Sequence, residues 1–495
     1  MILPLFVVIP LGGAFLLSLI GKLDKRINDA LANIATFSLL VLSVFAIRYP
    51  LAGKVLVYKV GGWKPPIGIC MVLDGLTSFM LVTTNLVSCL VAIYSISYME
   101  RYTDKYRFYT LFLLMLAGMN GVIVTGDLFN LFVFLEIASV ASYALVAFGT
   151  EAEELEASFK YTIMSSVASS FILLGIALLY SFSSTLNMAD MAWVLAQRNS
   201  SLLLYFVAVL FIMGFGLKAA IVPFHAWLPD AHPSAPASIS AMLSGVVIKV
   251  LGVYTLIRIF FNLFPINKTS LSVLMFLGTV SILAGVILAL SQWDFKRLLA
   301  YHSISQIGYI ILGIGLGTPL GITGALFHLF NHSVFKSLLF LNSGAVVYAL
   351  GTRNLQEMGG LKERMPLTAN TSLVASMSIS GIPPFNGFWS KLWIILACMQ
   401  SGRILYAFWA VIGSILTLAS FMKVQKYAFW GKLKKQWESV KEVPWPMQLA
   451  MLVLAVICIL SGFLVAPFFS AFIDSAVKVI LSGQGYAHTV FKMLR

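Results

Sequence analysis

Apolar runs of about 20 residues recur from end to end of the chain, each long enough to cross a bilayer of about 30 Å. Short polar loops separate them. The pattern predicts about fourteen spans: 2–20, 30–48, 70–97, 107–125, 128–149, 159–181, 201–229, 234–261, 271–291, 297–315, 320–349, 366–400, 404–425 and 446–470. Spans seven and twelve are interrupted by Pro223 and by Pro383-Pro384. Proline lacks an N–H and clashes with the preceding turn, so a helix breaks there. No linker or low-complexity stretch divides the spans. The fold class expected is an all-α polytopic membrane protein of one membrane domain, residues 1–495.

Composition agrees with this class. The chain has 495 residues, 60% hydrophobic and 11% charged, which excludes an ordinary soluble domain. The first run, Ile2 to Ile20, is followed rather than preceded by basic residues, the reverse of a secretory signal, so it is read as a retained helix. The net charge of +14 is dispersed over short loops, which fits membrane topology better than nucleic acid. An even number of spans puts both ends on one side. The loops on that side hold 11 basic residues, including Arg198, Arg258 and Arg495, against 18 opposite, including Lys105, Lys296 and the run Lys423–Lys441. The richer side should be cytoplasmic, with both termini outside a plasma membrane.

Some charges fall where hydrocarbon should be. Lys218, Lys249, Lys336 and Lys391 lie well inside apolar spans, and so does Glu136. Glu136 follows Asp127 by nine residues, about 14 Å along a helix and so near mid-membrane. His328, His332 and Lys336 are spaced i, i+4, i+8 and share one helix face. His225 and His232 flank the second half of span seven. Buried charges in a membrane are rare and costly, and they mark ion or proton paths. Lysine and histidine exchange protons, whereas arginine in practice does not. An isolated lysine near a span end would be a structural contact; four at mid-span favour function. Asp127 and Asp74, at span ends, read as caps or boundary residues. Glu151 to Glu156 reads as a solvated loop opening a helix. Ser303, Ser305 and Gln306 are polar enough to hold water.

Other chemistries lack their signatures. There is no Walker loop, no GxGxxG after a strand and no HExxH. Cys70, Cys89, Cys398 and Cys458 have no CxxC spacing. Neither a cofactor nor a metal is expected, and the chain should hold no redox centre of its own. A small internal repetition is visible: Val222-Pro-Phe-His-Ala-Trp resembles Pro383-Pro-Phe-Asn-Gly-Phe-Trp, each with a nearby membrane lysine. Five spans separate the two, as inverted repeats require.

The stretches Thr125-Gly-Asp-Leu-Phe-Asn-Leu-Phe-Val-Phe-Leu-Glu136, Lys218 with its Pro-Phe-His-Ala-Trp-Leu-Pro-Asp-Ala-His continuation, Lys296-Arg-Leu-Leu-Ala-Tyr-His-Ser-Ile-Ser-Gln-Ile-Gly308 and His328-Leu-Phe-Asn-His-Ser-Val-Phe-Lys336 resemble the antiporter-like subunits of respiratory complex I and its relatives. Within that family the chain looks most like the D subunit of Mrp-type sodium/proton antiporters. The matching subunit of membrane-bound hydrogenases is also similar. The resemblance implies fourteen helices, two inverted five-helix repeats and broken helices seven and twelve. Its layout here would be N-terminal helices 1–105, a first repeat 106–262, a second 270–430, and a last helix and tail 446–495. Glu136 would pair with Lys218, Lys249 would bridge onward, His328, His332 and Lys336 would link, and Lys391 would be the terminal site. His225, His232 and Asp127 are secondary candidates. The expected partners are other membrane subunits of such a complex, the lipid bilayer and protons, with sodium handled by the complex. The expectation is one wet file of ionisable groups running parallel to the membrane. The competing readings are an independent carrier of a small solute and a quinone- or haem-handling subunit.

Overall fold

A computed structural model describes residues 2–494 apart from 103, 198–201, 266, 464–466 and 484. The helices in chain order are α1 (Leu5–Ile20), α2 (Lys25–Ala46), α3 (Gly75–Tyr98), α4 (Lys105–Val124), α5 (Leu128–Val146) and α6 (Ala152–Ser183). They continue as the broken pair α7 (Leu202–Lys218) and α8 (Leu228–Ser234), then α9 (Ala237–Leu263), α10 (Lys268–Leu290), α11 (Phe295–Gly315) and α12 (Pro319–Leu350). A second broken pair, α13 (Pro366–Ser380) and α14 (Asn386–Gln400), precedes α15 (Ile404–Phe429) and α16 (Trp445–Phe463). Two further helices, α17 (Pro467–Leu481) and α18 (Gly485–Leu494), close the chain. Eleven described helices are long and apolar enough to cross a membrane; α1 and the two broken pairs complete the fourteen crossings.

Polar residues at the ends set the boundaries. Asp74, Asp127, Asp294 and Thr318 each accept from a backbone N–H of the first turn of α3, α5, α11 and α12. Such caps satisfy donors that a helix cannot satisfy itself. α9 is buried along its length and α11 nearly so, whereas α2 and α15 turn Phe37, Val41, Phe408 and Ile415 outward. An apolar exterior around a core rich in polar side chains is what lipid demands.

The loops sort onto two sides. On one lie an antiparallel hairpin of β1 (Leu56–Lys59) and β2 (Cys70–Leu73) and the bridge Asp127 to Asn187. α18 packs there, against β1 and the short helix Met188–Gln197. On the other lie the ion pairs Lys105–Asp29 (2.7 Å), Arg353–Asp294 (2.5 Å) and Arg353–Glu153 (2.5 Å). α1 starts beside the end of α4, where Asn120 Nδ2 donates to the Phe6 carbonyl at 3.2 Å. Both described chain ends therefore lie on the hairpin side.

Repetition runs deeper than the proline motif. The bridges Asp127–Asn187 and Asp294–Asn354 are both offset by 167 residues (294 less 127, and 354 less 187). α6 and α12 have 32 residues each, and their left-handed C-terminal residues, Ser184 (φ 56°) and Gly351 (φ 76°), keep the same offset. Each α4–α9 element and its α10–α15 counterpart are five crossings apart, an odd number, so the counterparts run in opposite directions.

Several expectations need correction. Arg258, Lys296 and Lys105, counted among loop charges, are buried. The Arg258 guanidinium donates to both Asp74 oxygens (2.7 and 2.9 Å) and to Thr77 Oγ1 (2.9 Å). Lys296 Nζ donates to the Ala235 carbonyl at 2.7 Å. Each found an acceptor at its helix end, which a count of charges cannot reveal. The described part of span fourteen runs Trp445–Phe463, and α17 starts at Pro467, within the expected bounds 446–470. The hairpin, the Met188–Gln197 helix, α17 and α18 had no counterpart in the hydropathy reading. Arg198, Arg495, the first residue of the span 201–229 and residues 464–466 lie outside the described residues.

The buried pair yields a test. Removing one partner strands a charge, at a cost of about 3–5 kcal/mol. Arg258→Leu alone should lower the thermal stability of the purified protein by that order, and Arg258→Leu with Asp74→Leu by clearly less. Equal losses in thermal unfolding scans would show that the pair carries no such penalty.

Candidate functional site

The site begins at the first break. α7 stops at Lys218, and the chain crosses to α8 through 219–227. The carbonyl of Leu217 accepts from both the Ala220 amide (3.1 Å) and the Trp227 indole (3.0 Å), and Trp227 stacks on Tyr161 at 4.2 Å. The Val222 amide donates to Ser281 Oγ at 3.0 Å. Lys218 itself is held by side chains. Its ammonium donates to Ser139 Oγ (3.0 Å) and Ser165 Oγ (2.5 Å) and lies 3.5 Å from Glu136 Oε1. Ser169 donates to the same carboxylate oxygen. The Lys218 side chain is 2% exposed and that of Glu136 32%. Glu136 borders an apolar-walled cavity of about 520 Å³ with Val133, Ile137 and Val140, open at the molecule's flank.

The second group surrounds α12. Lys249 lies in a π-helical stretch of α9 and donates back to the carbonyls of Gly245 (2.7 Å) and Ser244. Wider π turns release carbonyls, and such turns recur at functional sites. His328, His332 and Lys336 are fully buried on one face, as the spacing predicts. The two imidazoles lie nearly parallel at 6.3 Å. His328 bonds Ser390 Oγ through Nδ1 (2.9 Å) and Gln306 Oε1 through Nε2 (3.2 Å). Both nitrogens of His332 and the Lys336 ammonium have no hydrogen-bond partner among the described residues. Lys336 Nζ lies 5.5 Å from the Phe340 ring, on which His232 stacks at 4.6 Å. Lys249 is near enough to act electrostatically on His328, His332, Lys336 and His232.

The second group reaches the second break. Lys391 donates to the Ile379 carbonyl at 2.7 Å, so here the lysine itself satisfies a carbonyl the break releases. Ser414 Oγ is at 3.3 Å and the Tyr309 ring at 4.7 Å. Tyr309 also lies 5.6 Å from His328, which connects the terminal lysine to the histidines. Lys391 borders a cavity of about 230 Å³ with Ile382, Leu392 and Ile395.

The expected residues thus gather into two groups rather than one thread. Among the described residues no hydrogen bond or ion pair joins Lys218 to Lys249. Their helices touch where Ala219 packs on Gly252, so closely that a Cβ at 252 would come within 2.4 Å of the Ala219 side chain. His232 joins the second group, while His225 is half-exposed beside the break and joins neither. Asp127 caps α5, its carboxylate accepting from the Asn130 amide at 2.8 Å, and burial pushes its carboxyl up to about 6. The two break lysines are also not equivalent: Lys218 precedes its break and Lys391 follows its own.

The 167-residue offset shows what replaced what. Glu136, Ser139, Ser165 and Ser169 correspond to Ser303, Gln306, His332 and Lys336. One scaffold therefore holds hydroxyls around an ion pair in the first repeat and a histidine–lysine row in the second. Ser139, Ser165, Ser169, Tyr309, Ser390 and the buried His302 were not among the expected site residues. The i, i+4 spacing of Ser165 and Ser169 in an apolar span was the available signal for those two.

The chain is similar to known proteins over nearly its whole length. Residues 125–417 match the family model described as NADH:quinone oxidoreductase/Mrp antiporter, TM, and residues 60–109 match that of the NADH-ubiquinone oxidoreductase (complex I) chain 5 N-terminus. The D subunit of the Na(+)/H(+) antiporter of Alkalihalophilus pseudofirmus is 34% identical over 481 residues, 97% of each chain. Among solved structures, a chain of the Mrp complex from Dietzia sp. DQ12-45-1b superposes with a TM-score of 0.92 at 28% identity, covering 99% of this chain and 98% of its own. A chain of a membrane-bound sulfane sulfur reductase, an archaeal respiratory membrane complex, gives 0.91 at 32% identity, covering 98% and 99%. The chain belongs to the NADH:quinone oxidoreductase/Mrp antiporter family of membrane proteins, as one of its antiporter-like subunits.

Proposed function

We propose that this antiporter-like subunit translocates protons through Glu136, Lys218, Lys249, His328, His332, Lys336 and Lys391, within a multi-subunit cation/proton antiporter or complex I-like redox pump. The observation that carries the proposal is the Glu136–Lys218 pair. A lysine buried in the membrane, 3.5 Å from a carboxylate and bonded to two hydroxyls, has a place for its proton to go when the pair is perturbed. Lys249, the histidines and Lys336 then receive the charge change, and Lys391 closes the file. His232 extends the second group; Asp127 and His225 stand outside it.

The breaks speak against a carrier for a small solute. Transporters of that kind use the carbonyls and amides of broken helices to hold their substrate. Here Trp227 takes the Leu217 carbonyl at the first break and Lys391 takes the Ile379 carbonyl at the second. The partly exposed carboxylate of Glu136, on an apolar flank, supports a neighbouring protein chain there, because an ionised carboxylate against lipid is costly. The domain layout follows the two repeats, 106–262 and 270–430, between N-terminal helices 1–105 and a tail 446–495. We assign the hairpin side, with both termini, to the outside of a plasma membrane, on the loop charges. Sodium is assigned to the complex rather than to this chain.

Three outcomes test this reading. In vesicles carrying the assembled complex, Lys218→Ala and Glu136→Ala should each reduce cation-driven proton exchange to background while the complex still elutes intact. Normal exchange in either variant would refute the path. Ser165→Ala removes a hydrogen bond to a charged group, worth about 1.5–3 kcal/mol, so exchange should slow by about tenfold or more. An unchanged rate would make that serine a bystander. All four native cysteines are buried, so single surface cysteines report cleanly on orientation. An impermeant maleimide should label Lys54→Cys from outside intact cells and Lys362→Cys only after lysis; the opposite pattern would invert the topology.

A further inference from the structure

His302 is fully buried and belongs to none of the groups assigned above. It lies on α11, seven residues and so about 10 Å inside the membrane from Phe295. Lys336 stands 14 residues before the end of α12 at Leu350, about 21 Å from the same side. His302 therefore occupies a level between Lys336 and the surface opposite the chain ends. Its Nε2 bonds Ser420 Oγ on α15 at 2.8 Å, and its ring packs on Phe421 at 4.7 Å. Its Nδ1 is buried with no hydrogen-bond partner among the described residues. The charged groups acting on it are Lys336 from α12, Lys391 from α14 and Lys423 from α15. Lys423 is one turn beyond Ser420 on the same helix. It is half-buried at the surface, where its ammonium donates to the last carbonyls after α10, Leu290 (2.8 Å) and Gln292 (2.6 Å).

The fold itself does not require a polar residue at this place. The 167-residue offset puts Leu135 at the corresponding position of α5, buried and apolar. A histidine here adds a titratable ring to the second repeat alone. If it served only to tie α11 to α15, its second nitrogen would still be stranded, and a buried polar atom without a partner is costly.

We propose that His302 carries protons between Lys336 and the surface at Lys423, a transverse branch leaving the in-plane file on the side opposite the chain ends. A proton released by the Lys336 ammonium reaches Nδ1 through intervening water. The ring passes its other proton from Nε2 to Ser420 Oγ, and the hydroxyl hands one on toward Lys423 and bulk solvent. Each transfer breaks one N–H or O–H bond and forms another, and the imidazole returns to its starting tautomer by ring reorientation. The branch rests on the proposed proton path through Lys218.

The test uses the assembled complex in vesicles, with exchange rates normalised to intact complex. Lys218→Ala is the control for the underlying path. His302→Gln keeps an amide able to bond Ser420 but unable to carry charge, and should lower the exchange rate at least about fivefold. His302→Ala leaves space for a small base, and added imidazole should restore at least half of the lost rate. If Lys218→Ala is silent and His302→Gln exchanges at full rate, the branch is wrong while the path stands. If His302→Ala stays slow in imidazole, the ring is a tie between helices and not a carrier. If Lys218→Ala exchanges normally, the path fails and the branch with it.

Discussion

An ammonium group in hydrocarbon is costly without oxygen atoms around it, and much of the interior is arranged to supply them. Lys218 takes two serine hydroxyls and a carboxylate. Lys249 turns back to carbonyls of its own π-helical stretch. Lys391 takes a carbonyl released where a helix stops. In each case a departure from regular α-helix, or a polar residue in an apolar span, sits beside the amine. Those departures would be costly in a helix that merely crossed lipid. The amines and the irregularities explain one another.

Lys336 is the exception that gives the arrangement its direction. It has no hydrogen-bond partner among the described residues and lies 5.5 Å from the Phe340 ring. The positions that correspond to His332 and Lys336 in the first repeat are Ser165 and Ser169, which serve Lys218 and Glu136. Inverting a five-helix unit therefore placed a satisfied ion pair at one end and an unsatisfied basic row in the middle. An amine with no fixed acceptor suits passage of a proton rather than its storage. At the two flanks, Glu136 and Lys391 border cavities that open outward, as expected of a chain with neighbours in the membrane.

Much of the fold was legible because hydropathy and proline act locally. Fourteen spans and both breaks could be placed from run length and from Pro223 and Pro384. The buried lysines and Glu136 stood out by residue type alone. What stayed hidden depends on partners remote in the chain. Arg258 looked like a loop charge because Asp74, its partner, is 184 residues away. Serines 139, 165 and 169 acquire their meaning only once Lys218 and Glu136 lie among them. α17 and α18 were missed because short helices of 15 and 10 residues fall below the length that a membrane crossing requires. The expected single file became two groups because periodicity fixes a face of each helix but not how two helices meet. Ala219 against Gly252 is that meeting, and no one-dimensional pattern announces it.

The central claim is that charge crosses this contact, from the Lys218 cell to the Lys249 row. A map of the assembled complex, sharp enough to resolve ordered water, decides it most directly. The account predicts water density joining the Lys218 ammonium to that of Lys249 around the Ala219–Gly252 contact. Dry apolar packing there, in every conformation the particles adopt, would contradict it.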